Sequence, residues 1–273
     1  VTTAYASSGI SGLGNEAVAV TDAGYTVAQL KAINNATSGV ITLATTSVAL
    51  SGSVADIKEA LSGTFVSSHT GNVTITDEND TNIAAADLST IAGATTGTLT
   101  VSNNINITGT SAAVVTALGN VETFSGTPTV SLENAHTLAE LKAINDAISG
   151  TITLHDYTVA LNGSSADVAA ALAGSFADDY TGNVTLSDNH TLVQLKAINN
   201  ATSGQLTLND YTVALSGSVA DIKAALAGSF AAAYTGNITL NDANGTSIAA
   251  ADITTIAGAT TGTLTVSNNI NIT

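Results

Sequence analysis

Four histidines and three acidic turns are the groups in this chain whose chemistry could make a site. Histidine can ligate a metal or move a proton near neutral pH. His69, His136, His155 and His190, however, belong to no His or Cys cluster with metal-ligand spacing, and they read as exposed turn residues. The acidic turns are Thr76-Asp-Glu-Asn-Asp80, Ser187-Asp-Asn189 and Asn241-Asp-Ala-Asn-Gly245. They put carboxylate and amide oxygens at strand-to-helix corners. That makes Asp77, Asp80, Asp188 and Asp242 candidate ligands for calcium, a hard cation that takes oxygen donors. The spacing matches neither an EF-hand loop nor the glycine-rich calcium nonapeptide. The rival reading is Asx turns leading into helix caps.

Nearly every polar group recurs along the chain, which sets the context for these residues. Thr26 to Thr108 aligns without a gap on Thr191 to Thr273 at an offset of 165, with 60 of 83 positions identical. Inside that period Thr137 to His190 aligns on Thr191 to Asn244 at an offset of 54, with 37 of 54 identical. The expected organisation is a diverged or truncated coil over 1–25 and repeat units over 26–79, 137–190 and 191–244. A variant unit covers 80–136, and a partial variant unit covers 245–273. Polar groups repeating at such a period stand in columns rather than converging, so the chain reads as a non-enzyme with no catalytic residues.

The elements follow from spacing. Leu138, Leu141 and Ile144 form the apolar stripe of a short helix. Thr137 with Glu140 three residues on is a capping box, and Gly150 is a stop signal. Thr151-Ile-Thr-Leu154 alternates as a strand, Val159-Ala-Leu161 is a second short strand, and Ser165 to Leu172 is a second helix ended by Gly174. Asp56, Asp167 and Asp221 sit where negative charge suits a helix N-terminus, and the lysines mark solvated helix faces. Main strands centred near 42, 74, 99, 130, 152, 184, 206, 238 and 264, separated by helices, call for parallel pairing with right-handed crossovers. The predicted fold is therefore α/β, a right-handed parallel solenoid of strand–helix coils. These coils pair into 54-residue units within a 165-residue super-repeat. Thr42, Thr74, Thr100, Thr153, Thr185, Thr207, Thr239 and Thr265 should form one outward ladder, one threonine wide. Gly119 to Ser131, where the pattern breaks, reads as a longer loop.

Composition narrows the class. All five basic residues are lysines, and against 21 acidic groups they leave a net charge of −16. Such a surface repels phosphate backbones, so nucleic acid is not an expected partner. A hydrophobic fraction of 44% supports an ordered core, and no apolar run approaches the length of a membrane helix. The absence of cysteine rules out a disulfide framework. The chain opens without Met or signal-peptide features and both ends fall in mid-pattern without a cap, which is the expectation for a piece of a longer polymer or for ends that stack on neighbours.

Val159-Ala-Leu-Asn-Gly-Ser-Ser-Ala-Asp-Val168 and Leu141-Lys-Ala-Ile-Asn-Asp-Ala147 resemble Ala/Thr/Gly-rich repeats of very large bacterial surface proteins of the cyanobacterial, adhesin-like type. The resemblance covers most of the chain after residue 25. It implies export and a place outside the cell or on its surface, and it supplies no functional residues. The function expected is a self-associating structural repeat that builds a filament, sheath or surface layer, with calcium as a candidate cofactor. The alternatives are the stalk or spacer of a large adhesin and, third, an ice-binding solenoid.

Overall fold

The computed structural model describes residues 1–5 and 13–273. The chain divides into two compact units, Val1–Ser131 and Leu132–Thr273. Each is an alternation of short parallel strands and short helices, so the fold is α/β.

In the first unit Val18–Val20 pairs in parallel with Ile41–Leu43. Leu50–Gly52, Val73–Ile75, Leu99–Val101 and Thr123–Phe124 pair in that order, and Asn82–Ala84 pairs with Asn106–Gly109. Helices Val27–Ala36, Val54–Leu61, Ala85–Ala94 and Ser111–Asn120 pack each on the next. The second unit repeats the scheme. Leu161–Gly163, Val184–Leu186 and Leu206–Thr207 form one parallel set, and Leu215–Gly217, Ile238–Leu240 and Leu264–Val266 form another. Its helices Leu138–Ala147, Ser165–Ala171, Leu192–Ala201, Val219–Leu226 and Ala250–Ala259 also pack in sequence.

The helices form where the sequence starts them. Thr26, Thr137 and Thr191 each complete a reciprocal capping box, with Gln29, Glu140 and Gln194 respectively. The helices carry one buried residue per turn, such as Leu141 and Ile144 or Leu195 and Ile198, and the strands bury Val184, Leu186 and Leu206. Small residues on the same helices let them lie close to the strands. Leu138–Ala147 ends at Ile148 in extended conformation, two residues before the expected stop at Gly150.

Strand neighbours differ from the sequence expectation. Of the main strands, those near 74 and 99, 184 and 206, and 238 and 264 are adjacent, but those near 42 and 74, or 152 and 184, are not. The short second strand intervenes: Leu50–Gly52 pairs with Val73–Ile75 and Leu161–Gly163 with Val184–Leu186. The threonine ladder is accordingly broken into pairs, Thr74 beside Thr100, Thr185 beside Thr207 and Thr239 beside Thr265. On the other side these meet Ser51, Asn162 and Ser216. Gly119 to Ser131 is not simply a loop, because Thr123–Phe124 pairs with Thr100 and Val101, and Thr129–Leu132 is a strand.

The polar face is also wider than one threonine. Residues 180–187 and 202–209 alternate buried and exposed without a break, so each strand sends several polar side chains outward beyond its central threonine. Inward, the strands approach closely at glycine. A Cβ on Gly182 would stand 2.0 Å from the Val159 carbonyl oxygen, and one on Gly204 would stand 2.1 Å from the Gly182 carbonyl oxygen. Buried Thr202 clips this crossing: its hydroxyl donates to the Gly182 carbonyl at 2.9 Å and accepts from the Gly204 amide at 2.9 Å. Thr37, Thr95 and Thr260 make the same clip elsewhere.

Candidate functional site

The acidic corners are built into helix ends. Asp77 Oδ2 accepts from the Val54 amide at 2.7 Å, Asp188 Oδ1 from the Ser165 amide at 2.7 Å, and Asp242 Oδ2 from the Val219 amide at 2.9 Å. Each of those amides is the first of a helix, and the preceding serine hydroxyl takes the third, as Ser53 does from Asp56. A carboxylate from the next strand thus completes the cap and meets the positive end of the helix. Among the described residues no group of three or more His, Cys, Asp or Glu is placed to hold a metal ion. Asp77→Ala and Asp242→Ala should each cost about 1 kcal/mol in urea unfolding, the usual worth of a lost cap.

Asp80 plays a different part. Its φ is 62°, in the left-handed region, and its amide donates to the Asn104 carbonyl at 2.6 Å. Its counterpart 165 residues on is Gly245, with φ 79° and its amide donating to the Asn269 carbonyl at 2.7 Å. Glycine takes that conformation without the Cβ penalty, which amounts to about 1 kcal/mol. Asp80→Gly is therefore expected to raise the unfolding midpoint with calcium absent. A drop in the presence of calcium alone would mark Asp80 as a ligand.

Three histidines are not the exposed turn residues expected. His69, His136 and His190 are 3%, 4% and 3% exposed, whereas His155 does lie exposed on its turn. Each buried imidazole pairs with a tyrosine 44 residues away: His69 Nδ1 with Tyr25 at 3.3 Å, His136 Nε2 with Tyr180 at 3.2 Å, and His190 Nε2 with Tyr234 at 3.3 Å. The tyrosine protons are already committed to backbone carbonyls, of Thr45 at 3.0 Å, Val159 at 2.6 Å and Val213 at 2.5 Å. The imidazole N–H must therefore be the donor to the phenol oxygen. That leaves His136 Nδ1, His190 Nδ1 and His69 Nε2 buried without a partner of hydrogen-bond geometry.

In the first repeat the two residues have changed places. Tyr25 aligns with His136 and His190, and His69 aligns with Tyr180 and Tyr234. Recurrence of tyrosine at 180 and 234 with histidine 44 residues earlier was visible in the sequence, and it was the signal that should have marked these histidines as interior. Burial pushes all three imidazoles below the ordinary histidine range. Asp156 and Glu140 oppose this at His136, Asp210 and Asp188 at His190, and the Val48 carbonyl at His69. Burial likewise holds the Tyr180 and Tyr234 hydroxyls well above the tyrosine range, helped by Asp156 and Asp210 respectively.

The lysines tie helices together. Lys31 reaches Asp56 and Glu59, both at 2.7 Å, while Lys196 meets Asp221, Lys58 meets Asp87 and Lys223 meets Asp252. Lys142 instead pairs within its own helix, with Asp146 at 3.0 Å. Asp56 and Asp221, expected only as caps, are thus also partners of lysines of the preceding helix. The hydrogen bond from lysine comes first among the causes that hold Asp56 and Asp221 below the carboxylate range. These pairs are well solvated, so their net contribution to stability is small. Asp167 meets Ser164 at 2.8 Å.

Fold and surface together define a tandem-repeat α/β protein whose polar groups serve caps, clips and helix-to-helix ties. Comparison with protein-family models, with curated proteins and with solved structures finds no match. No helix among the described residues is long and apolar enough to cross a membrane.

Proposed function

We infer that this chain is a structural repeat segment of an extracellular or cell-surface polymer, a filament, sheath or surface layer. Its strand–helix periods would wind as a right-handed parallel solenoid, paired in 54-residue units within a 165-residue super-repeat. The observation that supports this reading is the way the interior is made. Strands and helices pack on the next strand and helix along the chain, with Val73 in register with Leu99 and Ile238 in register with Leu264. Such a core lengthens with the number of repeats and needs no other partner than more of itself.

Electron microscopy of the purified chain, with and without a calcium chelator, tests this. Long ordered fibres or sheets are expected. Separate monomeric particles in both conditions would overturn self-assembly and leave the adhesin stalk as the reading. Calcium at Asp77, Asp80, Asp188 and Asp242 is a companion proposal that uses the carboxylate oxygens left over from capping, and fibres that dissolve on chelation would support it.

A further inference from the structure

Two-strand patches on the outward face carry no charge in a strongly acidic chain, the first of them flanked across the sheet by exposed Glu122 beside Thr123. In the first unit Thr70, Asn72 and Thr74 point outward on one strand, and Thr96, Thr98 and Thr100 point outward on its neighbour. The equivalents in the second unit, starting at Thr181 and at Thr235, hold only threonine, serine, asparagine and glutamine. None of the 21 acidic residues stands in these patches; in the second unit the nearest along the strand is Asp179. No aromatic side chain stands there either, so the stacking surface a sugar ring would use is missing.

The patches are also stiff. The asparagine in each is pinned to the adjacent strand: Asn72 Oδ1 accepts from the Thr98 amide at 3.1 Å, Asn183 Oδ1 from Gln205 at 2.8 Å and Asn237 Oδ1 from Thr263 at 2.9 Å. Each amide NH2 is then held in a fixed position beside threonines, whose branching restricts χ1. Parallel register sets neighbours about 4.8 Å apart across strands and about 6.7 Å apart along them. Tetrahedral water bonded at about 2.8 Å puts second neighbours about 4.5 Å apart, and two stacked layers of it repeat about every 7.4 Å. Both spacings agree with the patch to about a tenth.

We propose that these threonine–asparagine patches bind the surface of ice. Their neutral, rigid two-dimensional array of hydroxyl, amide and methyl groups matches an ordered water lattice. The inference does not depend on polymer formation.

Ice recrystallisation and the shape of single ice crystals, observed in solutions of the full chain, test it. Wild type is expected to arrest recrystallisation and facet the crystals. Thr98→Lys, Gln205→Lys and Thr263→Lys together, placed at the centre of each patch, should weaken that activity by about tenfold or more, because an ammonium would lose its hydration against the lattice. Ala55→Lys, Val193→Lys and Ala220→Lys, which add the same charge on exposed helix positions, should leave it unchanged. Circular-dichroism melting confirms that both variants fold. Ice growth unaffected by the wild type would overturn the proposal. So would equal loss in both variants, or retention on insoluble neutral polysaccharide without any effect on ice. Fibres seen by microscopy bear only on the polymer reading.

Discussion

Acidification from pH 7 to pH 5 is expected to lower the stability of both units, and the second about twice as steeply as the first. His136 and His190 lie in the second unit and His69 in the first. Their folded pKa values are depressed, so between the folded and the unfolded value the unfolded chain binds a proton that the native chain refuses. The stability each neutral imidazole preserves is complete above the unfolded value of about 6.5 and is lost as pH falls from there toward the folded value. The slope is at most about 1.4 kcal/mol per pH unit for each histidine. Burial is what makes the native state resist the charge, and at His136 and His190 protonation would also put a second N–H on a buried Nδ1 with no acceptor.

Asp56, Glu59 and Asp221 have lowered pKa values, so the stability they contribute is lost only as pH falls through the carboxylate range. The two windows separate. Urea unfolding at a series of pH values, with the imidazole resonances followed by NMR, would read both. His136→Gln with His190→Gln keeps a donor toward Tyr180 and Tyr234 without a titrating group, and should flatten the response of the second unit. A slope unchanged by these substitutions would mean the histidines are not its source.

Gly182→Ala is expected to be among the most damaging single methyl additions in the second unit, with Gly204→Ala and Gly236→Ala, at about 3 kcal/mol or more. The new Cβ would lie 2.0 Å from the Val159 carbonyl oxygen and 2.8 Å from Tyr180 Cε1. The first is backbone and the second is a ring held by two hydrogen bonds, so neither can give way without parting the strands. Gly258→Ala makes the contrast, since nothing lies within 4 Å of a Cβ there and the residue is inside helix Ala250–Ala259. That change should stabilise by about 0.5–1 kcal/mol. Urea midpoints of the two variants give the comparison, and similar values for both would refute the close crossing at Gly182.

Most helices were legible in the sequence because they carry their own cap and stripe: Thr137 and Glu140 fix where one begins, and Leu141 and Ile144 fix which side turns inward, whereas Ala85–Ala94 and Ala250–Ala259 start without a side-chain cap. Strand existence was legible for the same local reason. Strand adjacency was not, since Val184 could sit beside any strand of matching alternation. What decides for Leu161 and Leu206 is the length of the connection on either side. Three of the histidines were misplaced because a polar side chain in a turn-like stretch gives no local sign of the tyrosine 44 residues away that makes its burial tolerable. The capping role of Asp77 and Asp188 was half visible. The residue type announced an Asx or cap position, but the helix it caps starts 23 residues upstream.

The exchange of positions between Tyr25 and His69 bears on how the gene can rearrange. Near-identical tandem copies recombine readily, and a crossover between the copies that carry Tyr25 and His190 yields a working product only if the breakpoint falls outside the span between pair members. Inside it, a hybrid would join Tyr25 to Tyr234, two phenols in a space shaped for one, or His190 to His69, two imidazoles where one ring must hand a proton to a carbonyl. The interior of this protein thus keeps a lineage barrier between copies that share 60 of 83 residues.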